Sequence, residues 1–277
     1  MKYSKSKSLS WMFTALLMLF TPLSNAQIVQ PHTLIFNDNE IDASITLPGA
    51  IEVDVKIEFE NAVGVNPANF DIYAELLLPT DPSITNRLPS GLVSATSGFP
   101  VIVTVAPKSD AGFAFEGAAM VELYTKALHF APDLRLFTSH AGDTFEDITM
   151  LTAAGSIRSR GNTGRFSDFM ILVDARAPAD VIELKLNDID DYIYENSASI
   201  SSVLQPSISL ALSTLANDIT LGNYTAALLI IDDLIELVDS TDDEDMPTIW
   251  RSSDDLTNVK GELLTKLNTL RFSLRTL

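Results

Sequence analysis

The sequence predicts an α+β protein with its two kinds of structure segregated along the chain. An N-terminal antiparallel β-sandwich of Ig-like, Greek-key type is followed by a C-terminal α-helical bundle. Three observations predict this. Glu52–Glu60 alternates charged and apolar residues with period two, which puts Val53, Val55, Ile57 and Phe59 on one face of a half-buried strand. After Pro178 the apolar spacing becomes helical. No helical pattern interrupts the strands before that point, which favours antiparallel pairing over parallel βαβ units.

The elements follow in chain order. Residues 1–26 read as a secretory signal peptide: Lys2, Lys5 and Lys7 precede an apolar run from Leu9 to Phe20, Pro22 ends it, and Ser24-Asn25-Ala26 supplies the small residues of a cleavage site. The run is short of the roughly 20 residues a bilayer span needs. The mature chain is expected to start at Gln27, and a sandwich domain to occupy 27–177. Asp42–Leu47 alternates and turns at Pro48-Gly49 into Glu52–Glu60. Further strands are expected at Phe70–Leu78, Val101–Val105, Ala118–Thr125, Leu134–Thr138 and Phe169–Val173, with Pro- or Gly-containing breaks between them, among them Arg160–Gly164. The helical domain is expected over 178–277. A first helix starts at Pro178, where proline suits the opening turn. A second runs from Pro206 to Leu221 and stops at Gly222. A third starts near Asn223. A fourth is expected to start near Pro247, after the acidic loop Asp242–Asp245, with Leu256, Val259, Leu263, Leu267, Leu270 and Leu274 inward. Short connections make these helices antiparallel neighbours.

Composition narrows the function. The 277-residue chain less its 26-residue leader leaves 251 residues, enough for one large or two ordinary domains. There is no cysteine, which excludes disulfides, thiolate metal sites, cysteine nucleophiles and a lipid-modified N-terminal cysteine. A cysteine-free exported chain suits a Gram-negative periplasm or the extracellular space. The formal charge is −19, and the leader contributes three lysines and no acid, so the remainder stands near −22. Nucleic acid and anionic lipid are poor partners for such a surface. Cations and basic partners suit it.

Catalytic signatures are missing. No G-x-S-x-G elbow occurs, and Ser139 and His140, adjacent on a strand, point to opposite faces. His32, His129 and His140 lack H-x-H or H-E-x-x-H spacing. Asp147 reads as a strand-end residue that accepts from nearby backbone N–H groups, with an active-site acid as the alternative. Three acidic groups, Asp242–Asp245, Asp188 with Asp190 and Asp191, and Asp38 with Glu40, offer oxygen ligands for weak Ca²⁺ binding, yet none has EF-hand spacing. Gly155, Gly161 and Gly164 form no phosphate loop. The basic cluster Arg158, Arg160 and Arg165 suits either an acidic partner or the protein's own acids across a hairpin. Trp250 and Arg251 are residue types favoured in binding hot spots, and Trp250 alternatively seals the bundle or docks it on the sandwich.

Three stretches carry a resemblance. Leu134-Arg135-Leu136-Phe137, Phe145-Glu146-Asp147-Ile148-Thr149 and Phe166-Ser167-Asp168-Phe169-Met170-Ile171 resemble the late strands of sandwich modules in bacterial surface proteins. Leu221-Gly222-Asn223-Tyr224-Thr225-Ala226-Ala227 is similar to a junction in the FIMAH-type helical module of bacterial adhesins. Together with Trp250-Arg251-Ser252 and Thr269–Leu274, most of the chain resembles an exported Gram-negative family that is a domain of unknown function. The resemblance implies fold and compartment and brings no catalytic residues with it.

The expected function is therefore an exported, non-enzymatic binding or structural module of the bacterial cell envelope. Its partner is an envelope or extracellular protein or a glycan, met through Trp250, Arg251, Arg158, Arg160 and Arg165, with no cofactor. Two other readings stand beside it: a secreted carbohydrate-active or other hydrolase using dispersed carboxylates, and a periplasmic ligand- or Ca²⁺-binding protein. Cleavage after Ala26 predicts that the exported product begins at Gln27, and the intact mass of protein recovered from the native host checks it; a product that retains Lys2–Ala26 overturns the leader reading.

Overall fold

The turn read at Pro48-Gly49 joins two paired strands, and Gly49 and Ala50 both adopt positive φ there (79° and 57°). A computed structural model describes residues 27–277; the leader reading lies outside the described residues. The strands and helices are, in chain order, β1 (Gln27–Val29), β2 (Thr33–Asn37), β3 (Glu40–Leu47), β4 (Ile51–Glu58), β5 (Asn61–Val63), β6 (Phe70–Leu76), the single turn α1 (Pro82–Thr85), β7 (Val93–Ala95), β8 (Val101–Pro107), β9 (Ala114–Glu116), β10 (Ala119–Tyr124), β11 (Leu134–Ser139), β12 (Glu146–Asp147), β13 (Thr149–Leu151), β14 (Arg158–Thr163), β15 (Asp168–Asp174), α2 (Pro178–Glu195), α3 (Gln205–Thr220), α4 (Tyr224–Asp239), β16 (Ile249–Arg251) and α5 (Val259–Arg275). The protein is α+β: an antiparallel, sheet-rich N-terminal region precedes a helical C-terminal region.

One sheet runs β1-β6-β8-β15-β11-β12, with β7 also on β15; a second runs β13-β14-β10-β4-β3-β2; a small third sheet runs β16-β9-β5. The inward faces of the two large sheets share a single apolar core. Val53, Val55 and Ile57 of β4 belong to it, as do Val101, Val103 and Val105 of β8. Strands β8, β11 and β15 of the first sheet bury both faces. Ile102, Phe137, Met170 and Leu172 point the other way, into a separate cluster closed by Leu77, Ile84 and Val93. This is why β8 and β15 read as unbroken apolar runs rather than alternating ones.

Helix α5 occupies the centre. Thirteen of its seventeen residues are buried. It packs against α2 and α4 on one side and against β13 and β14 on the other. Leu263, Leu267, Leu270 and Leu274 complete the helical core, with Ile189, Leu215, Ile231 and Leu234 from the other helices. The N-cap residue Asn258 fixes its start. Asn258 Oδ1 accepts from Gly261 N at 2.8 Å, while Nδ2 donates to Gly117 O at 2.7 Å and Gly164 O at 3.2 Å, both in the sheet region. The approach is too close for side chains: a Cβ on Gly261 would lie 2.3 Å from Gly117 O, and one on Gly164 would lie 2.5 Å from Glu262 N.

Three sequence expectations are corrected. No helix starts near Pro247. Residues 249–251 form β16 instead, which pairs with β9 far upstream, and Leu256 lies exposed in the loop before α5. Three residues are too few for an alternation to be seen, and the true start signal is the Asn258 cap. The Arg160–Gly164 break is mostly strand: β14 pairs with β10 and β13. Gly161 is required there because its Cβ would meet Ile148 O at 2.4 Å. Nor do Arg158 and Arg165 share a hairpin, since β14 and β15 lie in different sheets.

A buried ion pair ties helix to sheet. Lys185 Nζ of α2 contacts Asp147 Oδ2 of β12 at 2.5 Å and donates to Thr269 Oγ1 (2.6 Å) and Ser273 Oγ (2.9 Å) of α5. Asp147 Oδ1 also accepts from Thr149 N at 2.9 Å, the strand-end role read from the sequence. Burial opposes ionisation of Asp147, but the Lys185 ammonium outweighs it and holds the carboxyl below its usual range. A depressed carboxylate contributes stability that is present above its unfolded value of about 3.9 and is lost as pH falls from there through the folded value. Lys185→Met should therefore cost about 3–5 kcal/mol in urea unfolding at neutral pH, because Asp147 is left buried and uncompensated. Lys185→Met with Asp147→Leu should recover most of that loss and weaken the acid dependence; a double variant as unstable as the single one overturns the assignment.

Candidate functional site

The last two turns of α2, the first turns of α5, the loop 252–258 and the corner after β14 enclose a cleft of about 560 Å³. Helical spacing creates one wall. Asp188, Asp191, Tyr192 and Glu195 recur at i, i+3, i+4 and i+7 and share a face of α2. Glu262 and Lys266, one turn apart on α5, form the floor. Arg165 and Glu146 come from the sheet region, while Trp250 and Asp254 close the far side.

The groups interlock. Arg165 reaches Glu262 Oε1 at 3.6 Å and Glu146 Oε1 at 3.9 Å, so one guanidinium serves two carboxylates. Lys266 Nζ pairs with Asp188 Oδ2 at 2.6 Å, touches Glu146 Oε2 at 4.0 Å and stands over the Tyr192 ring. The Glu262 side chain is only 13% exposed. Burial pushes its carboxyl above the usual range; Arg165 opposes that rise and Glu146 adds to it. Burial also pushes the Tyr192 phenol up, and its hydroxyl is sealed from solvent without a hydrogen-bond partner. Burial works against the charge on Lys266, but Glu146 and Asp188 outweigh it and hold the ammonium above its usual range.

Behind Arg165, His140 Nδ1 lies 2.7 Å from the Phe166 carbonyl, an acceptor only, so Nδ1 is the protonated nitrogen. His140 Nε2 then faces Asp254 Oδ2 at 3.6 Å. The Trp250 indole N–H donates to Asp254 Oδ1 at 3.3 Å. Asp254 holds φ at 54°, a conformation that aspartate tolerates better than most residues.

The residues singled out in the sequence do not converge. Trp250 is 4% exposed and packs among Phe113, Phe115 and Phe166, with only its edge toward the cleft. It docks the helical region on the sheets and offers little surface to a partner. Arg251, the next residue on the strand, points outward to Asp255 at 3.3 Å. Arg160 and Arg158 both serve Glu122, at 2.5 and 3.7 Å, across the β10–β14 pair. Arg165 alone of the three enters the cleft. Glu146, Tyr192, Glu262 and Lys266 were not foreseen. The helical repeat 188-191-192-195 was the available signal, but it reads equally as a solvated face.

Of the acidic groups read as oxygen ligands, the loop Asp242–Asp245 is engaged locally. Asp242 Oδ1 accepts from Glu244 N and Asp243 Oδ1 from Thr248 N. Among the described residues no three His, Asp or Glu side chains are placed to hold a metal ion.

The chain belongs to a family of unknown function, DUF6689, whose model matches residues 14–277. No curated protein and no solved structure matches it.

Glu262 yields a test of the cleft. Its raised value means that the folded state holds the proton more tightly than the unfolded one. Stability therefore falls as pH rises from the unfolded carboxylate value of about 4.3 through the folded value. Glu262→Gln should melt a few degrees higher than the parent at about pH 8, with the gap closing toward about pH 4. A gap of opposite sign, or one independent of pH, overturns this placement of Glu262.

Proposed function

We propose that the chain is an exported, non-enzymatic binding module of the bacterial cell envelope, with the acidic cleft as its ligand seat. The observation that carries this reading is the composition of the cleft walls. Residues from both regions of the chain build one concave, preformed surface on which polar groups converge, features shared with ligand sites. The leader-like start, the charge near −22 on the remainder, and a resemblance to adhesin modules support export and an envelope role. No helix among the described residues is long and apolar enough to cross a membrane. The paired sheets are read as a β-sandwich over 27–177 carrying a helical module over 178–277.

A second reading, a hydrolase with two carboxylates, is favoured by one observation: Glu262 and Glu146 share Arg165, and burial keeps Glu262 protonated to higher pH than an ordinary carboxylate. Cross-linking the tagged protein in its native host separates the two. A reproducible envelope partner, lost on Arg165→Glu or Asp191→Lys, is the expected result. An absence of captured partner, together with turnover of a glycoside panel that Glu262→Gln abolishes, supports the hydrolase instead.

A further inference from the structure

The charges of the cleft do not balance. Six carboxylates line it, from Glu146, Asp188, Asp191, Glu195, Asp254 and Glu262, against the two cations Arg165 and Lys266. Both cations are engaged, Arg165 by Glu146 and Glu262 and Lys266 by Asp188. Asp191 and Glu195 have no ion-pair partner among the described residues. Asp254 faces only His140 and the Trp250 indole. Uncompensated negative charge thus remains on the α2 wall and on the 252–258 loop.

The shape of that charge selects the ligand. From Asp188 to Glu195 the α2 wall extends about 10 Å along the helix axis, at roughly 1.5 Å per residue. A bare metal ion needs oxygens converging on one point, and no such convergence exists among the described residues. Charge spread along a wall instead suits an extended cation with donors to distribute. The polar groups want donors too. Among the described residues the Glu262 carboxylate makes no hydrogen bond, its cation contact being Arg165 Nε at 3.6 Å. The Tyr192 ring already carries one ammonium, that of Lys266. Ammonium and guanidinium groups donate and never accept, which matches this acceptor-rich lining. Anions meet repulsion here, and a neutral sugar leaves the repulsion between the walls in place.

Building on the reading of the cleft as a ligand seat, we infer that it takes an organic cation, a primary ammonium or guanidinium on an extended chain. The charged end lies between the Asp191–Glu195 wall and Asp254. Two sources share this chemistry, a free polyamine and a basic side chain on a peptide.

Isothermal titration calorimetry of the full mature chain tests it, with spermidine and a blocked trilysine peptide as probes. Two variants delete charge while sparing the fold. Asp191→Asn with Glu195→Gln alters exposed residues without ion pairs. Asp254→Asn keeps an oxygen for the Trp250 indole and a residue type tolerant of positive φ. Each is expected to weaken binding about tenfold with an unchanged melting midpoint, and added salt should weaken binding of the parent. Spermidine alone binding points to a free polyamine, and trilysine alone binding to a basic peptide. No heat with either probe at millimolar concentration overturns the inference, as does binding that both variants leave intact or that millimolar Ca²⁺ matches. If an envelope partner is nonetheless captured by cross-linking, the cation seat falls and the binding-module reading stands.

Discussion

The docking of α5 is the constraint on which the rest of the molecule depends. A helix buried on nearly every side has to bury its polar residues as well, and each of those then needs a partner. Asn258 satisfies the first turn and two sheet-region carbonyls with one side chain. Lys260 donates to the carbonyls of Asp239 and Thr241 at the end of α4. Thr269 and Ser273 meet Lys185. These directional contacts fix the axial position and rotation of the helix, which apolar packing alone specifies loosely. Gly164 and Gly261 allow the backbones to come within reach of those bonds.

The position of α5 in turn creates the cleft. Once its first turn rests on the corner after β14, Glu262 faces Arg165, and Lys266, one turn later, faces Glu146 and Asp188. The loop 252–258 has to run from β16, pinned to β9, to Asn258, pinned to Gly117 and Gly164, and so forms a rim with both ends anchored. Trp250 within the aromatic cluster holds the near end of that rim. The cleft keeps its shape because its supports are buried, while Asp191 and Glu195 on its α2 wall have no ion-pair partner among the described residues.

The strands with strong period-two patterns, β3 and β4, and the helices starting at Pro178, near Pro206 and near Asn223 were legible because each buries one face and repeats it over several residues. The three-residue strands β5, β9 and β16 were not, since three residues show no period and their pairing is decided by residues up to half the chain away. β14 was hidden by Gly161, which signals a turn in isolation and a close backbone approach in place. The site was less legible than the fold. Arg160 with Glu122 follows from strand pairing, but Arg165 with Glu262 depends on tertiary docking that no local spacing encodes. Trp250 was noticed for its residue type, and its burial between Phe113, Phe115 and Phe166 turns a suspected contact into a structural anchor.

The division into a sheet-rich first part and a helical second part describes the order of the chain better than its physical independence. The second part returns a strand, β16, to the sheet formed by β9 and β5, and its last helix covers β13 and β14. Without the helical part, the carbonyls of Gly117 and Gly164 would lose Asn258 and the carboxylate of Asp147 would lose Lys185 of α2. Without the sheet corner, the start of α5 would keep only its own cap. An unpaired buried charge and several orphaned carbonyls together exceed what a marginally stable chain tolerates. The helical and sheet parts therefore have to fold onto each other, and a surface assembled from both, as the cleft is, exists only in the completed molecule.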